Sequence, residues 1–208
     1  MRLSAGDYDI RNSETRKKGA APDPGSDFAS SPRAFIVELA KIVLIALAIV
    51  IPVRYFLFQP FYVEGASMEP NFSDYQYLLI DEITYRFSEP QRGDVVVLKI
   101  PSQRDALIKR VIGLPNETVE IRNQRVFITQ ADGQSAELNE PYLGDGIVTP
   151  GSSSTTLGPD MYFVMGDNRP VSLDSRIFGT VIKKQIIGRA WLRVWPFKEF
   201  EHFTPPVY

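Results

Sequence analysis

The sequence predicts a mainly β protein, an antiparallel β-sheet domain behind one N-terminal transmembrane helix. Three observations carry this. A single long apolar segment, AFIVELAKIVLIALAIVIPVRYFLF, runs from Ala34 to Phe58. Beyond Pro60, short runs rich in Val, Ile, Tyr and Leu are separated by turn chemistry, as strands are. No stretch after residue 60 sustains a helical period. At 208 residues, 44% hydrophobic and 23% charged, the chain suits one globular domain plus an anchor.

Residues 1–33 are polar, rich in Ser, Pro, Gly and mixed charge. Such a composition buries too little surface to offset its ordering entropy, so a disordered tail is expected. In residues 34–58 the uncharged core, Ile42 to Val53, falls short of the ~20 residues of a full span. Span length is reached only by including Glu38, Lys41 and Arg54. Basic side chains near helix ends can snorkel to headgroups, and Glu38 and Lys41, three apart, can pair. A cleaved secretory signal has a core of similar length. The polar leader is long, however, and Tyr55, Phe56, Leu57 and Phe58 are bulky where a cleavage site needs small residues. An uncleaved signal-anchor is therefore expected. Arg11, Arg16, Lys17, Lys18 and Arg33 precede it and place the N-terminus in the cytoplasm, with residues 59–208 on the far side.

Within residues 59–208, strands are expected at Gln76–Ile80, Val95–Ile100, Leu107–Ile112, Thr118–Ile121, Val126–Thr129, Tyr162–Met165 and Ala190–Val194, with a further β-like run over Phe56–Val63. Turn pairs such as Gly93-Asp94, Pro115-Asn116 and Gly166-Asp167 punctuate them. Residues 131–158, rich in Gly, Ser, Thr and Pro, read as a loop-bearing insertion that carries little chemistry. Arg92-Gly93-Asp94 reads as a turn entering a strand.

Composition excludes several classes of function. A net charge of −2 gives no basic footprint for nucleic acid. With no cysteine there is no disulfide framework or thiolate metal site, and with one histidine a zinc centre is not expected. No cofactor is implied, and no feature specifies an oligomeric state.

The chemistry concentrates in three strings. VEGASMEP (Val63–Pro70) sets Ser67 on a tight turn, with Gly65 and Ala66 allowing close approach and Pro70 stopping a strand. A serine in such a turn is, taken alone, more often a solvated turn residue. If Ser67 is a nucleophile it needs a base, and the only histidine, His202, lies in a Pro-rich tail. LIKRVIGLP (Leu107–Pro115) supplies Lys109, which alternation places on one face with Leu107 and Val111. Burial there would lower an amine whose ordinary pKa, about 10.4, is too high for a base at neutral pH. Arg110 lies on the opposite face, so one of the two cations must point outward, and periodicity does not choose. GDNRPVSLDSRIFG (Gly166–Gly179) adds a polar cluster in which Arg169 and Asp167 read as a plain turn with a surface salt bridge.

Together and in this order, behind one anchor, the three strings resemble the type I signal peptidases, over about Phe35 to Phe197. GRAWLRVWPF (Gly188–Phe197) resembles the end of that family in photosynthetic bacteria and chloroplasts. The resemblance implies an antiparallel β catalytic domain and a serine endopeptidase with Ser67 as nucleophile and Lys109 as general base. It implies that Ser172 hydrogen-bonds and orients the lysine, and that an Asp174–Arg176 ion pair braces the site. Phe61, Val63 and Ile108 would line shallow pockets for small residues before the cleaved bond, although alternation sets Ile108 opposite Lys109. Many members carry a serine two residues before the nucleophile. Here Gly65 stands there, which leaves the oxyanion to the Ser67 backbone N–H and the Gly65 region. Asn71 replaces the usual threonine after Pro70. The implied partners are preproteins bearing signal peptides and the lipid bilayer, which Phe56, Phe58, Phe61 and Tyr62 would enter. A self-cleaving repressor would need a DNA-binding domain and no anchor. A non-enzymatic β domain would tolerate loss of Ser67 and Lys109.

Overall fold

The structure, a computed structural model, describes residues 32–56, 58–101, 103–144 and 146–206, with side chains described outside 52–59. The expected disordered tail thus lies outside the described residues up to position 31. So do the side chains of Phe56 and Phe58, two of the four aromatics expected at the membrane surface. Two compact units divide the chain, Met1–Ala46 and Leu47–Tyr208.

The apolar segment forms a helix, α1 (Pro32–Phe56), which starts two residues before the expected span and ends two before its expected end. Twenty-five residues at ~1.5 Å each exceed the ~30 Å of a hydrocarbon core. Its stretch Pro32–Ile51 is long and apolar enough to cross a membrane, and none of it is buried within the protein.

The second unit is mainly antiparallel β. In chain order it contains β1 (Phe58–Tyr62), β2 (Tyr77–Asp81), a single helical turn α2 (Thr84–Phe87), β3 (Val95–Leu98), β4 (Leu107–Gly113), β5 (Thr118–Arg122) and β6 (Arg125–Thr129). There follow β7 (Ser135–Glu137), β8 (Ser153–Thr156), β9 (Met161–Met165), the short helix α3 (Ser175–Phe178), β10 (Val181–Ile182), β11 (Ile186–Trp195) and β12 (Glu201–His202). The larger sheet runs β1-β2-β11-β3-β4-β9-β10, with β12 added to β11. The smaller runs β7-β6-β5-β8.

Patterning explains the centre of the larger sheet. The four apolar residues of β3 are all buried, as a strand covered on both faces requires. Val95 and Val97 join one apolar cluster with Val63, Met68, Phe72 and Ile108. Val96 and Leu98 join another with Val111 and Val164. In the smaller sheet β5 and β6 bury alternate residues, Val119, Ile121, Val126 and Ile128, against Phe163 and Met165. Asn123 and Gln124, between them, both have positive φ (50° and 63°), the geometry of a two-residue hairpin turn.

Four strands have no counterpart in the sequence expectations: β7, β8, β10 and β12. β7 (SAE) and β8 (SSTT) are short polar edges, almost wholly exposed, so no apolar alternation marks them. β11 runs twice as long as the expected Ala190–Val194, because register shifts on its pairings with β2 and β3 interrupt its alternation.

Candidate active site

Ser67 does not lie on a strand. Five residues past β1, it sits in a turn, 67–71, that two core side chains hold from beneath. Met68 and Phe72, four apart, are 0% and 1% exposed, and the Phe72 N–H donates to the Met68 carbonyl at 3.0 Å. Gly65 bends the entering backbone with φ +89°, a conformation unfavourable to any residue with a Cβ. The Gly65 N–H donates to Asp74 Oδ1 at 3.0 Å and is therefore engaged. Among the described residues the Ser67 N–H has no acceptor, so of the two expected oxyanion donors it is the one left available.

Lys109 comes from the middle of β4, opposite Val96 of β3. It is 2% exposed, and its amine donates to Ser67 Oγ and to the Ile108 carbonyl, each at 2.7 Å. Burial pulls its pKa down from 10.5 to about 8, against the opposing pull of the carboxylates of Asp174 and Asp167. A neutral amine within hydrogen-bond reach of a hydroxyl can take its proton, so the pair has the geometry and the basicity of a nucleophile and its general base.

The expectation that Lys109 or Arg110 must face outward is wrong. Arg110 is also buried, at 6% exposure. Its guanidinium grips Asp167 through two bonds of 2.8 and 2.6 Å, donates to the Gly93 carbonyl at 2.9 Å and lies 4.0 Å from the Tyr142 ring centroid. Both faces of β4 are covered, one by partners, Asp167 and Tyr142, more than thirty residues away in sequence, which periodicity cannot reveal.

The reading of Asp167 and Arg169 as a surface turn fails for the same reason. Asp167 is 0% and Arg169 1% exposed. Besides Arg110, Asp167 accepts from Asn71 Nδ2 at 2.8 Å. Asn71, the residue in place of threonine, also donates to the Tyr142 carbonyl at 2.7 Å, so the change adds a tie between segments. Burial opposes charge on Arg169, but the hydrogen bonds it donates to Glu140, together with the negative charge of Glu140 and Asp167 nearby, hold the guanidinium pKa above its ordinary value. Arg169 also donates to Thr149 Oγ1. Glu140, Tyr142 and Thr149 belong to residues 131–158, expected to carry little chemistry. They carry much of the packing behind the site.

The Asp174–Arg176 pair forms as expected, with bonds of 2.8 and 2.7 Å, and Asp174 is fully buried. Asp174 also caps α3 and accepts from the Gly166 N–H at 3.1 Å. Ser172 lies beside the site, but the hydrogen bond to Lys109 implied for it is absent. The lysine donates elsewhere, and Ser172 Oγ is buried without a partner among the described residues.

Two residues of the site have no counterpart in the sequence reading. Asn168 clamps the Ser67 turn, its N–H donating to the Ser67 carbonyl at 3.1 Å and its Nδ2 to the Ala66 carbonyl at 3.0 Å. Gly166 is wedged between that turn and Ser172. A Cβ there would lie 2.3 Å from the Ser67 carbonyl oxygen and 2.2 Å from Ser172 Oγ, so only glycine fits. The GDN order in sequence is the one available signal for both.

Phe61, Val63 and Ile108 meet in the single apolar cluster that also contains Met68, next to Ser67. Val63 and Ile108 are 0% and 4% exposed, while Phe61 is half-buried. The Ile108 side chain lies with Val95 and Val97, across the sheet from the Val96 side on which β4 pairing sets Lys109. No bulge reconciles the two, and it is the Ile108 carbonyl that reaches the amine. Among the described residues no group of His, Cys, Asp and Glu could hold a metal ion.

Residues 36–195 match the family described as signal peptidase, peptidase S26. Signal peptidase I of Bacillus amyloliquefaciens is 35% identical over 180 residues, covering 82% of this chain and 94% of its own. Signal peptidase I of the cyanobacterium Leptolyngbya laminosa is 33% identical over 210 residues, covering 94% and 98%. A crystal structure of signal peptidase I from Enterococcus faecalis is 32% identical, covering 49% of this chain and 97% of that one, with a TM-score of 0.42. With three quarters of its length inside the family match and relatives this similar along nearly their whole chains, the protein is a member of the signal peptidase family, peptidase S26, and a hydrolase.

Proposed function

We propose that the protein removes signal peptides from exported preproteins by a serine–lysine mechanism, cutting after a small-x-small site while anchored by α1. The observation that carries the mechanism is the 2.7 Å contact between Ser67 Oγ and an amine at 2% exposure whose pKa burial lowers to about 8. Neutral Lys109 takes the Ser67 proton as Oγ attacks the scissile carbonyl. The negative oxygen that forms is met by the Ser67 N–H. The C–N bond breaks as the ammonium returns the proton to the leaving amine. A water molecule then attacks the ester, Lys109 takes its proton, and the Ser67 oxygen departs and regains it, freeing the carboxylate product.

Phe61, Val63 and Ile108 form the apolar floor beside Ser67 in this reading. A floor in which Val63 and Ile108 are already packed to a few per cent exposure admits small side chains more readily than large ones. The basic residues before α1 set the N-terminus in the cytoplasm, with the catalytic unit outside.

The test is cleavage of a preprotein by the detergent-solubilised chain, beside Ser67→Ala and Lys109→Ala, across pH 6–10. Cutting after a small-x-small site by wild type alone, with rate rising through pH ~8, supports the mechanism. Cleavage by either variant at the wild-type rate refutes it.

A further inference from the structure

Behind the site, one carboxylate joins its two buried arginines. Glu140 Oε1 accepts from the Tyr142 hydroxyl at 2.7 Å, and its two oxygens take both terminal nitrogens of Arg169, one at 3.0 Å. From Arg169, Nε donates at 3.1 Å to the carbonyl of Gly166, the residue wedged against the Ser67 backbone. From Tyr142, the ring lies against Arg110, which holds Asp167, and the Tyr142 carbonyl accepts from Asn71. Both walls of the Ser67–Lys109 pair therefore trace back to a side chain 10% exposed in the segment after β7. Thr149 closes the cluster by accepting from Arg169.

We infer that Glu140 is a positioning residue for the serine–lysine pair, acting through Arg169 on Gly166 and through Tyr142 on Arg110. The inference rests on the proposed mechanism. A carboxylate that only satisfied a buried arginine would need no bond to Tyr142, and Arg169 would have no reason to reach the Gly166 carbonyl. With Glu140 neutral, Arg169 is a buried guanidinium short of its partner, and relief requires water or movement. Either loosens Gly166 and the turn it supports. Water near Lys109 reduces the burial that keeps its amine neutral. The charged groups facing that amine are Asp174, paired with Arg176, and Asp167, paired with Arg110. Loosening either pair would also favour the ammonium, so every route moves the lysine the same way.

The experiment compares Glu140→Gln with wild type in the full solubilised chain, below both melting midpoints, by rate against pH and by preprotein concentration. The expected result is a kcat lower by about ten- to a hundredfold, KM changed less than about twofold, and an acid limb moved upward from about 8. Should Glu140→Gln fail to fold, Thr149→Val and Tyr142→Phe each remove one bond of the cluster and leave the ring against Arg110. Each is expected to move the limb the same way by less. A lowered melting midpoint with kcat and limb unchanged, in Glu140→Gln or in both milder variants, overturns the inference. A Ser67→Ala control separates the two readings: if it cleaves like wild type, the mechanism has failed and not merely the role of Glu140.

Discussion

Replacing Lys109 by methionine is expected to stabilise the fold at neutral pH while abolishing cleavage. Methionine keeps the length of the side chain and removes the amine. In the folded protein burial lowers that amine from 10.5 to about 8, whereas in the unfolded chain it takes a proton at its ordinary value. The folded state is thus penalised progressively as pH falls from 10.5 to about 8, and below that the penalty is constant at roughly 3 kcal/mol. Against it, the variant forfeits two hydrogen bonds of 2.7 Å, to Ser67 Oγ and the Ile108 carbonyl, worth about 1 kcal/mol each. The balance is a gain of roughly 1 kcal/mol at pH 6.5, or about 2–4 °C in a domain of this size. At pH 10 the folded lysine is neutral and most of the penalty has gone, so the variant becomes the less stable by about 1 kcal/mol. Thermal unfolding of the solubilised chain, followed by tryptophan fluorescence at pH 6.5 and pH 10, reads this crossover. A difference in midpoint that does not change with pH, or a variant less stable at pH 6.5, would refute the account of why the amine is a base.

Other residues test the frame around that pair. Gly166→Ala forces a methyl group against the Ser67 carbonyl and Ser172 Oγ, and a loss of about 1–3 kcal/mol with at least a hundredfold fall in kcat is expected, read by denaturant unfolding and preprotein cleavage. Asp167→Ala takes away the carboxylate that the buried Arg110 grips through two bonds, and chemical denaturation is expected to show a loss of about 3–5 kcal/mol. Ser172→Ala removes a buried hydroxyl that has no partner among the described residues, so its melting midpoint is expected to equal or slightly exceed that of wild type. A clear drop would show that Ser172 Oγ bonds after all.

The strands were legible where apolar residues are buried, as an unbroken run in β3 and in alternation in β5 and β6. β3, β5 and β6 announce themselves by which residues are apolar, and the segment of α1 by how many are. β7 and β8 were not, since their side chains meet mostly solvent. The three site strings were visible in order, and the structure brings Ser67 and Lys109 together. The site residues that sequence reasoning placed wrongly are buried charges. Arg110, Asp167 and Arg169 look like surface residues because charges are rarely buried unless paired. Their partners lie 57 residues apart for Arg110–Asp167 and 29 apart for Arg169–Glu140, beyond any local pattern. Ser172 shows the converse. Resemblance supplied a hydrogen bond for it, and the packing around Gly166 leaves its hydroxyl unbonded.

The clamp of Asn168 on the Ser67 turn has a consequence for the life of the chain. Serine and lysine are 42 residues apart, and Asn168 is 102 residues beyond the Ala66 carbonyl it holds. During synthesis Ser67 and Lys109 both emerge well before the segment that fixes the Ser67 turn. No nascent fragment ending before Asn168 contains an assembled site. Because contacts so distant in sequence close late, proteolytic competence arrives only with the nearly complete fold.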